Sequence, residues 1–132
     1  MNIKSIDLAW IVVNDLPKSV KFYTEKVGLK LMEFHEGFGW AELQGQDGGI
    51  KLGLAQMQPT GNDGINPGQN AVVTLTVDNI EDAIIDLKEK GAKLMGEIQE
   101  VPGHVKLQMV QDEDGNHFQL VECLNQHKCP NC

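Results

Sequence analysis

The sequence contains no arginine: its 11 basic residues are all lysine, set against 19 Asp and Glu for a formal charge of −8. A surface so poor in positive charge cannot release counterions from a nucleic acid and repels phosphates at long range, which excludes a nucleic-acid partner. Without guanidinium forks there is also no bidentate clamp for a carboxylate or phosphate, so anionic small molecules are poorly served. Cysteine is confined to the last ten residues, as Cys123, Cys129 and Cys132. An odd, terminal set cannot staple the body of a fold, so the core rests on packing. No run of eighteen apolar residues occurs, and Met1 to Asp7 shows no basic segment leading into an apolar one. The expectation is a soluble, cytoplasmic protein with no membrane partner. Aromatics are scarce too, with only 2 Trp and 1 Tyr, so the place of each indole carries information.

What is present is a chain of 132 residues with 41% hydrophobic and 23% charged residues, enough for one folded domain with two halves. An internal repeat supplies the halves. Asp15 precedes Gly28-Leu29-Lys30-Leu31 by thirteen residues, and Asp78 precedes Gly91-Ala92-Lys93-Leu94 by the same interval. Between the markers, Leu16, Val20, Tyr23 and Val27, then Ile80, Ala83, Ile84 and Leu87, recur at helical spacing. Asp15 and Asp78 or Asn79 suit N-caps, Pro17 a first turn, and Gly28 and Gly91 a left-handed stop.

A strand precedes each helix, Ile6 to Val13 and Ala71 to Val77, and three follow it. These are Lys30 to His35, Gly39 to Gln44 and Ile50 to Ala55 in the first copy, then Lys93 to Ile98, Val105 to Val110 and His117 to Glu122. The fold class expected is α+β, two βαβββ modules forming curved mixed sheets around a cavity. Residues 1–56 form the first module, 57–70 an inter-module loop, 71–124 the second module and 125–132 a flexible Cys/His tail.

Alternation along the strands assigns faces. Val73, Leu75, Ala41, Leu43, Leu52, Leu54, Phe118 and Leu120 turn toward the helices. The opposite face collects Val72, Thr74 and Thr76, Trp40, Glu42 and Gln44, Lys51 and Gly53, His117 and Gln119, a mixed polar and aromatic lining suited to a small molecule.

Asp15-Leu16-Pro17-Lys18-Ser19-Val20-Lys21-Phe22-Tyr23 with Gly28-Leu29-Lys30-Leu31, and the turn Asp112-Glu113-Asp114-Gly115-Asn116, resemble the two module signatures of the vicinal oxygen chelate superfamily. That superfamily comprises glyoxalase I, bleomycin resistance proteins and extradiol dioxygenases. The turn departs from the usual pattern by Glu113 in place of proline. The resemblance spans residues 1 to 124 and implies four metal-ligand positions, which fall here on Leu8, Gly53, Val72 and Gln119. Alkyl groups, a hydrogen and a neutral amide do not hold Zn²⁺, Ni²⁺ or Fe²⁺, so no metal and no cofactor are expected.

The ligand-binding candidates are Trp10, Trp40, Glu42, Thr74, His104, His117 and Gln119. Both indoles fall on the open face, where they can stack on a planar or cationic compound. Glu42 can pair with a cation, or serve as a base if desolvation raises its pKa. His117 and Gln119 can hydrogen-bond a ligand, and His104, after Pro102-Gly103, can gate a cavity rim. His35 reads as surface, Asp112 to Asn116 as a hairpin turn, and Ser19 has no base partner for nucleophilic chemistry. The tail Cys123-x3-His127-x-Cys129-x2-Cys132 reads as redox-reactive, with zinc binding its alternative. The leading function is metal-independent sequestration of a cationic or neutral aromatic compound by a homodimer, without catalysis. Two alternatives stand beside it: a metal-dependent glyoxalase-type lyase or isomerase, or dioxygenase-like enzyme, using displaced ligands, and a structural or regulatory module whose cavity the indoles plug.

Overall fold

A computed structural model describes residues 1–2, 4, 6–59, 61–62, 64–69 and 72–124. The tail reading over 125–132 and the strand start at Ala71 lie outside the described residues. The chain divides into two compact units, Met1–Ala71 and Val72–Cys132. The first holds β1 (Leu8–Val13), α1 (Leu16–Lys21) running on into a π-helical turn (Phe22–Lys26), β2 (Lys30–His35), a 3₁₀ turn (Glu36–Phe38), β3 (Trp40–Gly45) and β4 (Gly48–Gln56). The second holds β5 (Val73–Thr76), α2 (Ile80–Glu89), β6 (Lys93–Val101), β7 (Val105–Gln111) and β8 (His117–Cys123). Their sheets run β1-β4-β3-β2 and β5-β8-β7-β6. In each, the first and last strands are parallel and the remaining pairs antiparallel. The α+β class and the doubled βαβββ unit stand, and neither sheet closes on itself.

The helices begin where short polar side chains satisfy first-turn amides. Asp15 Oδ1 accepts from the Lys18 amide at 3.2 Å, and Asn79, not Asp78, accepts from the Asp82 amide at 2.9 Å. A second clamp reaches each helix from the end of the parallel strand. Gln56 Oε1 accepts from the Leu16 amide, and Glu122 Oε1 from the Ile80 amide, both at 2.8 Å. Gly28 at φ 94° and Gly91 at φ 80° follow the helices in the left-handed region, which other residues enter only with strain. The π turn is unannounced by the spacing of apolar residues. It is where two adjacent aromatics, Phe22 and Tyr23, are both buried, packed edge to face at 5.0 Å.

Each core lies between helix and sheet. In the first unit Leu16, Val20 and Tyr23 of the helical segment are buried, as are Ile11, Val13, Ala41, Leu43, Leu52 and Leu54 of the sheet; in the second Ile80, Ile84 and Leu87 are buried, as are Val110, Phe118 and Leu120. Each such apolar side chain contributes roughly 1.5–3 kcal/mol when buried. Gln108 shares this inner face and is only 2% exposed. A bulge in β6 between Met95 and Gln99 frees carbonyl groups there, and Gln108 Nε2 donates to the oxygens of Met95, Gly96 and Met109. The Asp112 to Asn116 turn is closed as expected: Asp112 Oδ1 accepts from the amides of Asp114 and Asn116 at 2.9 and 2.8 Å. Among the described residues no helix is long and apolar enough to cross a membrane.

Candidate functional site

The face of the first sheet turned away from α1 carries the two tryptophans. Trp10 on β1 lies opposite Gly53 on β4, and Gly53 in turn lies opposite Glu42 on β3. Trp40, two residues before Glu42 on the same strand, leans over Gly53, and the two ring centroids are 6.5 Å apart at 61°. The indole N–H of Trp40 donates to Glu42 Oε2 at 2.9 Å, while Lys51 Nζ stands 3.4 Å from Glu42 Oε1. The sequence thus places Trp10, Trp40 and Glu42 together, and the structure joins them into one hydrogen-bonded aromatic corner. A slot holding a flat ring between two indoles requires parallel planes. At 61° the pair instead presents one face and one edge, a corner rather than a sandwich.

The Glu42 carboxyl is held below its ordinary pKa, first by the Trp40 N–H; desolvation comes next and pushes the other way, and Lys51 adds its hydrogen bond and charge to the lowering. Burial therefore does not raise it toward a general base, as one reading of the sequence supposed. It remains a carboxylate whose oxygens are engaged, and it fixes the rotamer of Trp40. Four neighbours escaped the sequence reading as site residues. Lys51 had been placed on this face by alternation but given no role. Glu33 lies directly opposite Glu42 on β2, and its Oε1 sits 3.0 Å from His35 Nε2. Phe38 stacks on the His35 ring at 4.8 Å. The irregularity between Leu31 and Glu33 moves Leu31 opposite Leu43 but Glu33 opposite Glu42, so simple alternation misassigns β2. Beside the corner a hollow of about 480 Å³ is lined by Asp7, Leu8, Glu42, Gln44, Gly49 and Lys51.

The corresponding face of the second sheet carries Thr74, Gln119 and His117. Thr74 Oγ1 donates to Gln119 Oε1 at 3.4 Å, and the His117 ring lies 3.4 Å from Gln111 Nε2. His104 is not part of this group. It sits in the turn between β6 and β7, where its carbonyl accepts from the Leu124 amide, just past β8 and at the end of that strand opposite His117. At about 3.3 Å per residue, the length of β8 sets the two histidines roughly 20 Å apart.

The metal positions implied by the resemblance offer no donor set. Leu8, Gly53 and Val72 carry no lone pair, and the Gln119 amide already accepts from Thr74. Among the described residues no three His, Cys, Asp or Glu side chains gather as ligands would. The residues present do not fit a resident transition ion.

The family model described as Glyoxalase/Bleomycin resistance protein/Dioxygenase superfamily matches residues 5–120. No curated protein matches the sequence. Among solved structures, a superfamily member from Sphaerobacter thermophilus DSM 20745 superposes with a TM-score of 0.79 at 24% identity, covering 91% of this chain and 98% of the other. TnmS3, an antibiotic binding protein from Streptomyces sp. CB03234, gives 0.77 at 26% identity over 93% and 98%. A glyoxalase/bleomycin resistance protein from the same Streptomyces gives 0.72 at 27% identity over 88% and 98%.

Proposed function

The chain belongs to the Glyoxalase/Bleomycin resistance protein/Dioxygenase superfamily, and from that premise we propose that it is a metal-independent binding protein that sequesters a planar aromatic compound, neutral or cationic, without altering it. The observation that carries this reading is the Trp10–Trp40 corner, locked by the Trp40 to Glu42 hydrogen bond. A fixed aromatic corner gains dispersion and quadrupole attraction from a flat ring without first ordering its own side chains. A cationic ring adds roughly 0.5–2 kcal/mol per indole face it covers. The net charge of −8 and the absence of arginine disfavour anionic ligands. The antibiotic-binding character of TnmS3 points the same way.

Metal independence is supported by Leu8, Gly53, Val72 and Gln119 at the implied ligand positions; without an ion the lyase chemistry of the superfamily lacks its electrophile. The protein works, in this proposal, as a cytoplasmic homodimer. Support for the dimer is that each open sheet ends on two edge strands, β1 and β2 in one and β5 and β6 in the other. The test is equilibrium dialysis of chelator-treated protein against proflavine, a planar tricyclic cation, and 2-naphthol, a neutral bicycle, with mass spectrometry of the recovered compound. Saturable retention of unmodified compound is expected. Failure to retain either, or turnover of the methylglyoxal adduct of glutathione once Zn²⁺ or Ni²⁺ is added, would overturn it.

A further inference from the structure

Gly53 lies mid-strand in β4, opposite both Trp10 and Glu42. It is absent from the glycines with positive φ, so its backbone is one that alanine adopts without strain. Glycine in a strand interior sacrifices conformational entropy and a packed side chain, and a position that keeps it without needing its φ freedom is one where something else occupies the space of a Cβ. Here the occupant is the indole of Trp40. A Cβ on residue 53 would stand 2.4 Å from Trp40 Cη2, 2.7 Å from Trp40 Cζ2 and 3.0 Å from Trp10 Cβ. Trp40 cannot yield cheaply, because its N–H is committed to Glu42 and its ring to the edge contact with Trp10.

We propose that Gly53 is the specificity-determining residue of the aromatic corner: its missing side chain is the seat of Trp40, and any side chain at this position converts the first sheet from an aromatic-binding face into one that cannot form the indole pair. The proposal rests on the reading of this face as a ligand site only for its functional consequence. The seating itself is a statement about Trp10, Trp40 and Gly53 alone.

Two readouts separate these levels. Indoles 6.5 Å apart and inclined at 61° couple as excitons in far-ultraviolet circular dichroism, and Trp10→Phe and Trp40→Phe identify that couplet by abolishing it. Gly53→Ala is expected to lose the couplet while both tryptophans remain. It should also weaken proflavine binding at least tenfold, as Trp40→Ala does, and the double variant Trp40→Ala with Gly53→Ala should bind no more weakly than Trp40→Ala alone. Retention of the couplet in folded Gly53→Ala overturns the proposal. Loss of the couplet with proflavine affinity unchanged upholds the seat and overturns the aromatic-ligand function. If Gly53→Ala does not fold, the double variant decides: recovered folding supports the seat, because alanine at 40 vacates the space, and continued unfolding overturns it.

Discussion

The two modules share a backbone plan and differ in what they place on it. Aligned on their helix caps, Asp15 and Asn79, the row crossing the first sheet reads Trp10, Gly53, Glu42, and the row crossing the second reads Thr74, Gln119, Met109. The faces toward the helices are both mainly aliphatic, the second adding Phe118 and the buried Gln108, and both helices receive a clamp from the far end of the parallel strand through Gln56 or Glu122. On the open faces the difference turns on one position. Where the first module has a bare glycine, an indole folds down onto the strand; where the second has Gln119, the side chain fills its own space and is tied to Thr74. A repeated fold thus keeps its core chemistry constant and varies the opposite face, the separation of scaffold from site that lets one architecture serve unrelated functions.

The largest effects should be those the modules share. Leu54→Ala and Leu120→Ala remove side chains that are 0% and 3% exposed on the two helix-facing sides. Each is expected to destabilise by about 2–5 kcal/mol in denaturant unfolding. A large loss in one module only would break the equivalence of their cores.

Next comes the contrast between open faces. Trp10→Ala and Trp40→Ala should each weaken proflavine binding at least tenfold, about 1.4 kcal/mol, in calorimetric titration. Thr74→Val and Gln119→Leu should change it by less than about threefold. Equal losses from both sets would mean the second face contributes as much as the indole corner.

How far the sequence carries this contrast depends on what kind of regularity each element obeys. The repeat, the Asp15 cap, the helix stops and the inner faces of β3, β4, β5 and β8 follow local spacing and polar chemistry, and all are read from residues alone; the second cap is narrowed to Asp78 or Asn79. Trp10, Trp40 and Glu42 share a face by alternation, so their convergence was also accessible. The engagement of Glu42 was not, because it depends on the orientation of an indole and on a lysine from another strand. Glu33 and His35 were hidden by the β2 bulge, which breaks the period on which face assignment rests. Gly53 is read from the sequence as part of the open face and as a poor metal position but not as a seat for Trp40, since a missing side chain acquires meaning from the ring that occupies its place.

Smaller effects test the symmetry of the helix starts. Asp15→Ala and Asn79→Ala should each cost about 1 kcal/mol of stability in thermal or denaturant unfolding. The loss in the first module should be the lesser if the Gln56 clamp compensates more fully than Glu122 does.

The smallest expected effects are electrostatic. Glu42 has its pKa lowered in the folded state, so its stabilising contribution is present above the ordinary carboxylate range and is lost as pH falls through the lowered value. The Trp40 indole N–H resonance should therefore move with pH below the ordinary glutamate range, and Glu42→Gln should remove that titration. In the second module Lys106 Nζ lies 2.6 Å from Glu81 Oε1, lowering the carboxyl and raising the amine. That pair loses its contribution as pH falls through the Glu81 value and again as pH rises through the Lys106 value, with no response from either indole.

The most direct test of the central claim is the indole region of a ¹⁵N-correlated proton NMR spectrum, recorded on chelator-treated protein during titration with proflavine. The account predicts that the Trp10 and Trp40 Nε1–H resonances shift together and saturate at a common midpoint, with no divalent ion present. Resonances that stay fixed at every proflavine concentration, or that move only once Zn²⁺ or Ni²⁺ is added, would contradict it.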